Sequence, residues 1–158
     1  MRTKIPAAVL ALLLLCPAVV LAHDDDEVKG QLGKVSFRNS CDPKVQPLLL
    51  RGVAMLHSFW YSAAEKTFRD VLAQDPSCAI ATWGFASIMM SNPLAGVGAS
   101  AKGAEQAQAM IEQGRRIGAG TQRERDYIEA VAAYYEDWSN RSERTRQLAR
   151  AKSYIAQR

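Results

Sequence analysis

The sequence predicts an all-α protein in which antiparallel helical hairpins, about three pairs, stack as a right-handed solenoid. Three observations predict it. From Asp42 onward apolar residues recur at spacings of three and four, the period of a helix with one buried face. No stretch alternates apolar and polar residues for long enough to make a strand. The dipeptide Asp42-Pro43 returns at Asp75-Pro76, 33 residues later, a period that holds two helices and their turns.

The chain has 158 residues, room for one domain once its N-terminus is set aside. Arg2 and Lys4 precede an apolar run over residues 5–21, and Val20-Leu21-Ala22 offers a signal peptidase its small and branched residues. Residues 1–22 therefore read as a signal peptide cleaved before His23. As a membrane anchor the run is at the short limit and holds Pro6 and Pro17, which interrupt a helix. Leu15 precedes Cys16 where a lipobox needs Gly or Ala. No later segment is apolar enough to span a bilayer, so the mature form is expected not to be embedded in a membrane, and export places it in the periplasm or outside the cell.

Without Arg2 and Lys4 the 20 basic residues become 18 against 16 acidic ones, a balance that gives no electrostatic reason to expect nucleic acid. Cys16 leaves with the leader. The remaining pair, Cys41 and Cys78, is expected to form a disulfide in an oxidising compartment.

Residues 23–40 open with His-Asp-Asp-Asp-Glu and contain few apolar groups, so they read as a flexible acidic leader and lead-in, with Val35-Ser36-Phe37 making a short extended contact. The helical repeat domain spans 41–158. Its first helix is predicted over 42–60, with Leu49, Val53, Leu56 and Trp60 on one stripe and Pro47 tolerated in the first turn. Gly52 inside it costs about 1 kcal/mol relative to alanine, which points to close helix packing. A second helix over 62–74 turns Ala64, Phe68, Val71 and Leu72 inward and stops at Asp75-Pro76. A third runs over 78–90. Proline and glycines make 91–103 a loop. The fourth helix, alanine-rich, covers 104–117 and closes at Gly118 and Gly120. Thr121 and Glu124 form a capping box for the fifth, which reaches residue 138. Asn140-Arg141-Ser142 turns the chain into a sixth helix that runs to the end of the sequence.

The first hairpin resembles the tetratricopeptide-repeat (TPR) family position by position. Gly52, Ala64, Phe68 and Pro76 stand at the family's spacing for its glycine, alanine, aromatic and turn proline, with Tyr61 three residues before the alanine. Leu48, Arg51 and Met55 replace the family's tryptophan, leucine and tyrosine, and Ala86 replaces the glycine in a second unit that continues with Ala107 and Ile111. The stretches Leu56-His57-Ser58-Phe59-Trp60-Tyr61 and Asp75-Pro76-Ser77-Cys78-Ala79 are similar to exported bacterial TPR proteins that are longer than this chain and have no assigned activity. The resemblance implies fold and compartment.

Among candidate sites, His57 lies on a stripe with Leu50, Ala54 and Tyr61; it reads first as a packed histidine and second as a partner contact. Phe59, Trp60, Tyr61, Trp83 and Phe85 form an aromatic group read mainly as inter-helix core, Trp60 being kept as a binding residue. Tyr127, Tyr134 and Tyr135 are binding candidates because the fifth helix shows aromatics on more than one face. The last helix is basic (Arg141, Arg144, Arg146, Arg150, Lys152 and Arg158), which reads first as a solvated face and second as a contact for an acidic partner or anionic surface. Neither a nucleophile elbow, a phosphate loop nor zinc-type spacing is present, so no enzyme, metal site or cofactor is expected.

The expected function is an exported scaffold that binds a protein or peptide on the concave face formed by the first helix of each hairpin. The alternative is a periplasmic small-ligand or metal-binding subunit, for example for copper through His23 and His57. Leu148, Ala151 and Ile155 on the last helix still ask for a partner, so the chain is expected to be the N-terminal piece of a longer array.

Overall fold

A computed structural model describes residues 32–157. The expected leader, its cleavage point and the acidic start up to residue 31 lie outside the described residues. Within them the protein is all-helical, with six α-helices and no strand: α1 (Gln46–His57), α2 (Tyr61–Gln74), α3 (Ile80–Met89), α4 (Ala101–Ile117), α5 (Gln122–Tyr135) and α6 (Glu143–Ala156). None of these helices is long and apolar enough to cross a membrane. Neighbours in sequence pack together, α1 on α2, α3 on α4 and α5 on α6. The first helices of the three pairs also touch in succession, α1 to α3 and α3 to α5.

Local chemistry sets the helix ends. Asp42 accepts the backbone N–H of Lys44 at 2.7 Å and Pro43 opens a short 3₁₀ turn, so α1 proper starts only at Gln46 and keeps Pro47 in its first turn. It stops at His57, three residues earlier than expected, because Phe59 takes a left-handed φ of 60° that no helix continues. The predicted loop is shorter at its far end. Ser100 accepts the N–H of Gly103 at 3.0 Å, which draws residues 101–103 into α4. At the other end of the next hairpin Asp137, at φ 49°, stops α5 at Tyr135 and leaves Trp138 in a separate 3₁₀ turn. The capping box of Thr121 and Glu124 is present as expected.

Every residue from Ile80 to Ile88 is buried, so α3 is the central rod around which α1, α2, α4 and α5 pack. Phe68 of α2 has no exposed surface and projects between α1 and α3. A Cβ on Gly52 would stand 3.0 Å from Phe68 Cε1, and one on Gly84 would overlap the same ring. The aromatic ring thus lies in a slot made by two glycines. On α3 the close approach is made at Gly84, while Ala86 receives a hydrogen bond on its carbonyl from the Tyr135 hydroxyl at 2.8 Å. Pro76 is exposed and follows the buried Asp75 in the turn, and Tyr61 is half-buried at the start of α2.

Cys41 and Cys78 are joined in a disulfide, with Cα atoms 4.7 Å apart. They stand just ahead of α1 and α3, at the same end of two packed helices. The carboxylate of Asp75 reinforces that junction. It accepts the backbone N–H of Asp42 at 2.8 Å and both the N–H and hydroxyl of Ser77 at 3.0 and 2.5 Å. The Asp-Pro that recurs in sequence is therefore one device used twice, an aspartate accepting the N–H two residues on. The second copy also ties the two units together.

These bonds, that of the Ser77 hydroxyl first, lower the Asp75 pKa below the usual aspartate value. A carboxylate held down in this way adds stability above the unfolded-chain pKa, about 3.9, and the contribution is lost as pH falls through the lower folded-state value. We expect the urea midpoint of the native chain to fall on acidification from pH 5 to about pH 3, and Asp75→Asn to be less stable at pH 7 and to lose less over that window. Equal acid losses in both proteins would contradict this account.

The lead-in is anchored from Leu32 to Ser40, a longer run than the expected contact at Val35-Ser36-Phe37. Leu32, Val35 and Phe37 pack on the core. The buried carboxylate of Glu124 accepts the N–H and hydroxyl of Ser40 at 2.7 and 2.8 Å, together with the N–H and hydroxyl of Thr121 at 3.0 and 2.7 Å. Four donors on one carboxylate satisfy a group that would otherwise be costly to bury.

Candidate binding cleft

The first helices leave an open cleft bounded by α3 and α5 below, by the C-terminal end of α1 at one side and by α6 across the top. It holds two cavities. One, about 250 Å³, is lined by Leu56, His57, Phe59, Tyr61, Trp83, Ser87, Met90 and Arg150 among others. The other, about 260 Å³, is lined by Trp83, Tyr127, Ala130, Val131, Arg150, Ala151 and Tyr154. Trp83 and Arg150 line both cavities and mark the middle.

Helical spacing positions these groups. Trp83 and Ser87 are one turn apart on α3, Tyr127 and Val131 one turn apart on α5, and Arg150 and Tyr154 one turn apart on α6. Beyond Tyr127 the cleft meets an aromatic wall. Phe37 of the lead-in stacks on Trp83 with ring centroids 5.2 Å apart and meets Tyr127 edge-on at 5.4 Å. The Arg123 guanidinium lies 5.2 Å from both the Phe37 and Tyr127 rings and donates to the Arg38 carbonyl at 3.0 Å, which fixes the lead-in there. Tyr127 and Tyr154 bring their hydroxyls within 3.4 Å, and burial is the leading cause that raises the Tyr127 pKa.

Two of the lining residues carry a polar group without a hydrogen-bond partner among the described residues. Ser87 is only 6 % exposed and its Oγ has no hydrogen-bond partner. Thr82, one turn and a half earlier on the same helix, donates its hydroxyl to the Ala79 carbonyl at 2.7 Å. Arg150 is half-buried, and among the described residues neither a carboxylate nor a carbonyl oxygen is bonded to its guanidinium. Burial lowers its pKa from the ordinary arginine value. No aspartate or glutamate lines either part of the cleft.

The expected site residues meet different fates. His57 is exposed on the rim of the cleft, so its first reading as a packed histidine is corrected. Trp60 is half-buried against the core at the start of α2. Tyr127 lines the cleft. Tyr134 and Tyr135 do not: they are 0 and 1 % exposed, and this burial corrects their reading as surface contacts. The Tyr134 hydroxyl donates to Glu143 at 2.5 Å and accepts the Ala99 N–H at 3.2 Å; burial, then Glu143, pushes its pKa up to about 12. Burial likewise raises Tyr135. Arg146, expected on a solvated face, is buried between Glu143, the Trp138 carbonyl and the Tyr134 and Trp138 rings.

Sequence reasoning missed Ser87, for which a hydroxyl inside the apolar run of α3 was the available signal. Arg150 stands in the sequence only as one of the basic residues of the last helix, whose second reading is a contact for an acidic partner, and nothing there sets it apart from its neighbours. One group of metal-ligand type occurs among the described residues, Cys41, Asp75 and Cys78, but both sulfurs are committed to the disulfide and offer no thiolate. Comparisons with known proteins find no matching family model, curated protein or solved structure.

Proposed function

We propose that this chain is an exported scaffold of the tetratricopeptide type that holds an extended segment of a protein partner along the face made by α1, α3 and α5. The observation that carries the reading is the cleft itself: first helices of successive pairs touch in order and leave an open, aromatic-lined channel with two unpartnered polar groups. The Asp-Pro period of 33 residues and the Phe68 slot between Gly52 and Gly84 support a stack of the tetratricopeptide kind. Export to the periplasm or beyond is supported by the composition of residues 1–22 and by a disulfide, which persists in oxidising compartments. The near-balanced charge speaks against a nucleic-acid partner. His57 faces neither a nucleophile nor a carboxylate within hydrogen-bond reach among the described residues, which favours binding over catalysis.

The test is site-specific photocrosslinking in cells of the native host. Benzoylphenylalanine at position 57 or 59, on the cleft rim, is expected to give a discrete adduct, while the same group at Lys66 or Glu105, exposed on α2 and α4, gives none. Adducts from the α2 and α4 positions alone, or from no position, would remove the proposal.

A further inference from the structure

We infer that the middle of the cleft is a subsite for an internal acidic side chain of a peptide partner, flanked on both sides by bulky apolar residues. This rests on the scaffold reading and names the chemistry of what is held.

Arg150 lines the void of about 250 Å³ beside Trp83, and among the described residues its guanidinium is bonded to no carboxylate or carbonyl. A guanidinium drawn partly out of water without a counter-charge costs free energy. That cost is relieved by an incoming carboxylate, which accepts from the guanidinium. No acidic residue lines the cleft, so the negative charge has to come with the ligand.

Position decides between an internal side chain and a chain end. Arg150 and Trp83 line both cavities, and each cavity has apolar walls of its own. On one side these are Leu56, Phe59 and Met90; on the other Val131, Tyr127 and Tyr154. A terminal carboxylate uses one of these walls and leaves the other open. An internal aspartate or glutamate with an apolar residue before and after it uses both. The exposed rim, with Phe59 48 % accessible, adds apolar surface of the kind a polypeptide covers.

The test measures binding to the full chain of N-acetylated, C-amidated pentapeptides Gly-X-Asp-X-Gly, with X leucine or phenylalanine, against the same peptides with asparagine in the middle. Free phenylacetate is a third probe. The aspartate series is expected to bind roughly tenfold more tightly than the asparagine series, as a charge-assisted hydrogen bond allows. Arg150→Gln should erase that preference without weakening the asparagine series. Equal binding of both series, or a preference that survives Arg150→Gln, overturns the inference. Phenylacetate binding more tightly than any peptide overturns it in favour of a small-molecule site. Failure of every probe removes this subsite, while the crosslinking experiment reports separately on the scaffold reading.

Discussion

Phe68→Ala is expected to destabilise the protein by about 3–5 kcal/mol, the range for emptying a fully packed aromatic site. The ring has no exposed surface and is gripped by the backbones of α1 and α3 at Gly52 and Gly84. Collapse around the deletion is limited, because α3 is itself held on several sides by other helices. The slot makes a second, opposite perturbation available. Gly84→Ala drives a methyl group into the Phe68 ring and should cost about 1–3 kcal/mol by overpacking. Combining it with Phe68→Leu, which shortens the side chain, should cost less than the sum of the two single changes. Urea denaturation of the four proteins checks both expectations. A cost below about 1 kcal/mol for Phe68→Ala, or strict additivity in the pair, would show that the slot is not tight.

Loss of the Cys41–Cys78 bridge is the other large effect. The bond closes a loop of sequence separation 37, and in the chain-entropy model its removal lowers stability by ~3–4 kcal/mol. Cys41→Ser with Cys78→Ser is therefore expected to lower the urea midpoint in proportion, without changing the far-ultraviolet helical signal in the absence of denaturant. Asp75 keeps its bond to the Asp42 N–H in that variant, so adding Asp75→Asn should enlarge the loss beyond the sum of the two. An unchanged midpoint on removal of both cysteines would contradict the assignment of a structural role to the bridge.

The helices and the cysteine pairing were legible because each rests on local chemistry or on simple spacing. Thr121 and Glu124 specify a helix start within four residues, and Asp-Pro specifies a turn within three. Where the reading failed, a backbone angle or a tertiary neighbour decided. Phe59 and Asp137 sit at positive φ without being glycine, so nothing in their identity announced the helix ends they make. Gly103 reads as a loop residue, yet its N–H is claimed by Ser100 and it opens α4. Tyr134 and Tyr135 carry the broader lesson. Aromatics on more than one face of α5 suggested exposure, but α5 is covered by α3, α4 and α6, and a helix buried on several faces has the same pattern. The cleft was legible only in outline. Its aromatic wall depends on Phe37 arriving from the lead-in, and its unpartnered Ser87 and Arg150 are defined by what fails to reach them, which no spacing rule encodes.

The Glu124 clamp on Ser40 changes how such a stack behaves as a whole. Arrays of hairpins in which each unit touches only its neighbours behave like one-dimensional chains, and they fray from their ends. Here Ser40, immediately ahead of the first unit, is bonded to a carboxylate 84 residues further on, at the start of α5. The α1–α2 pair is therefore fastened to the α5–α6 pair as well as to the α3–α4 pair. A ring of contacts replaces a line of them, so opening the N-terminal edge also disturbs the far hairpin. Such a contact raises contact order, so we expect slower folding and cooperative melting of the described helices as one body.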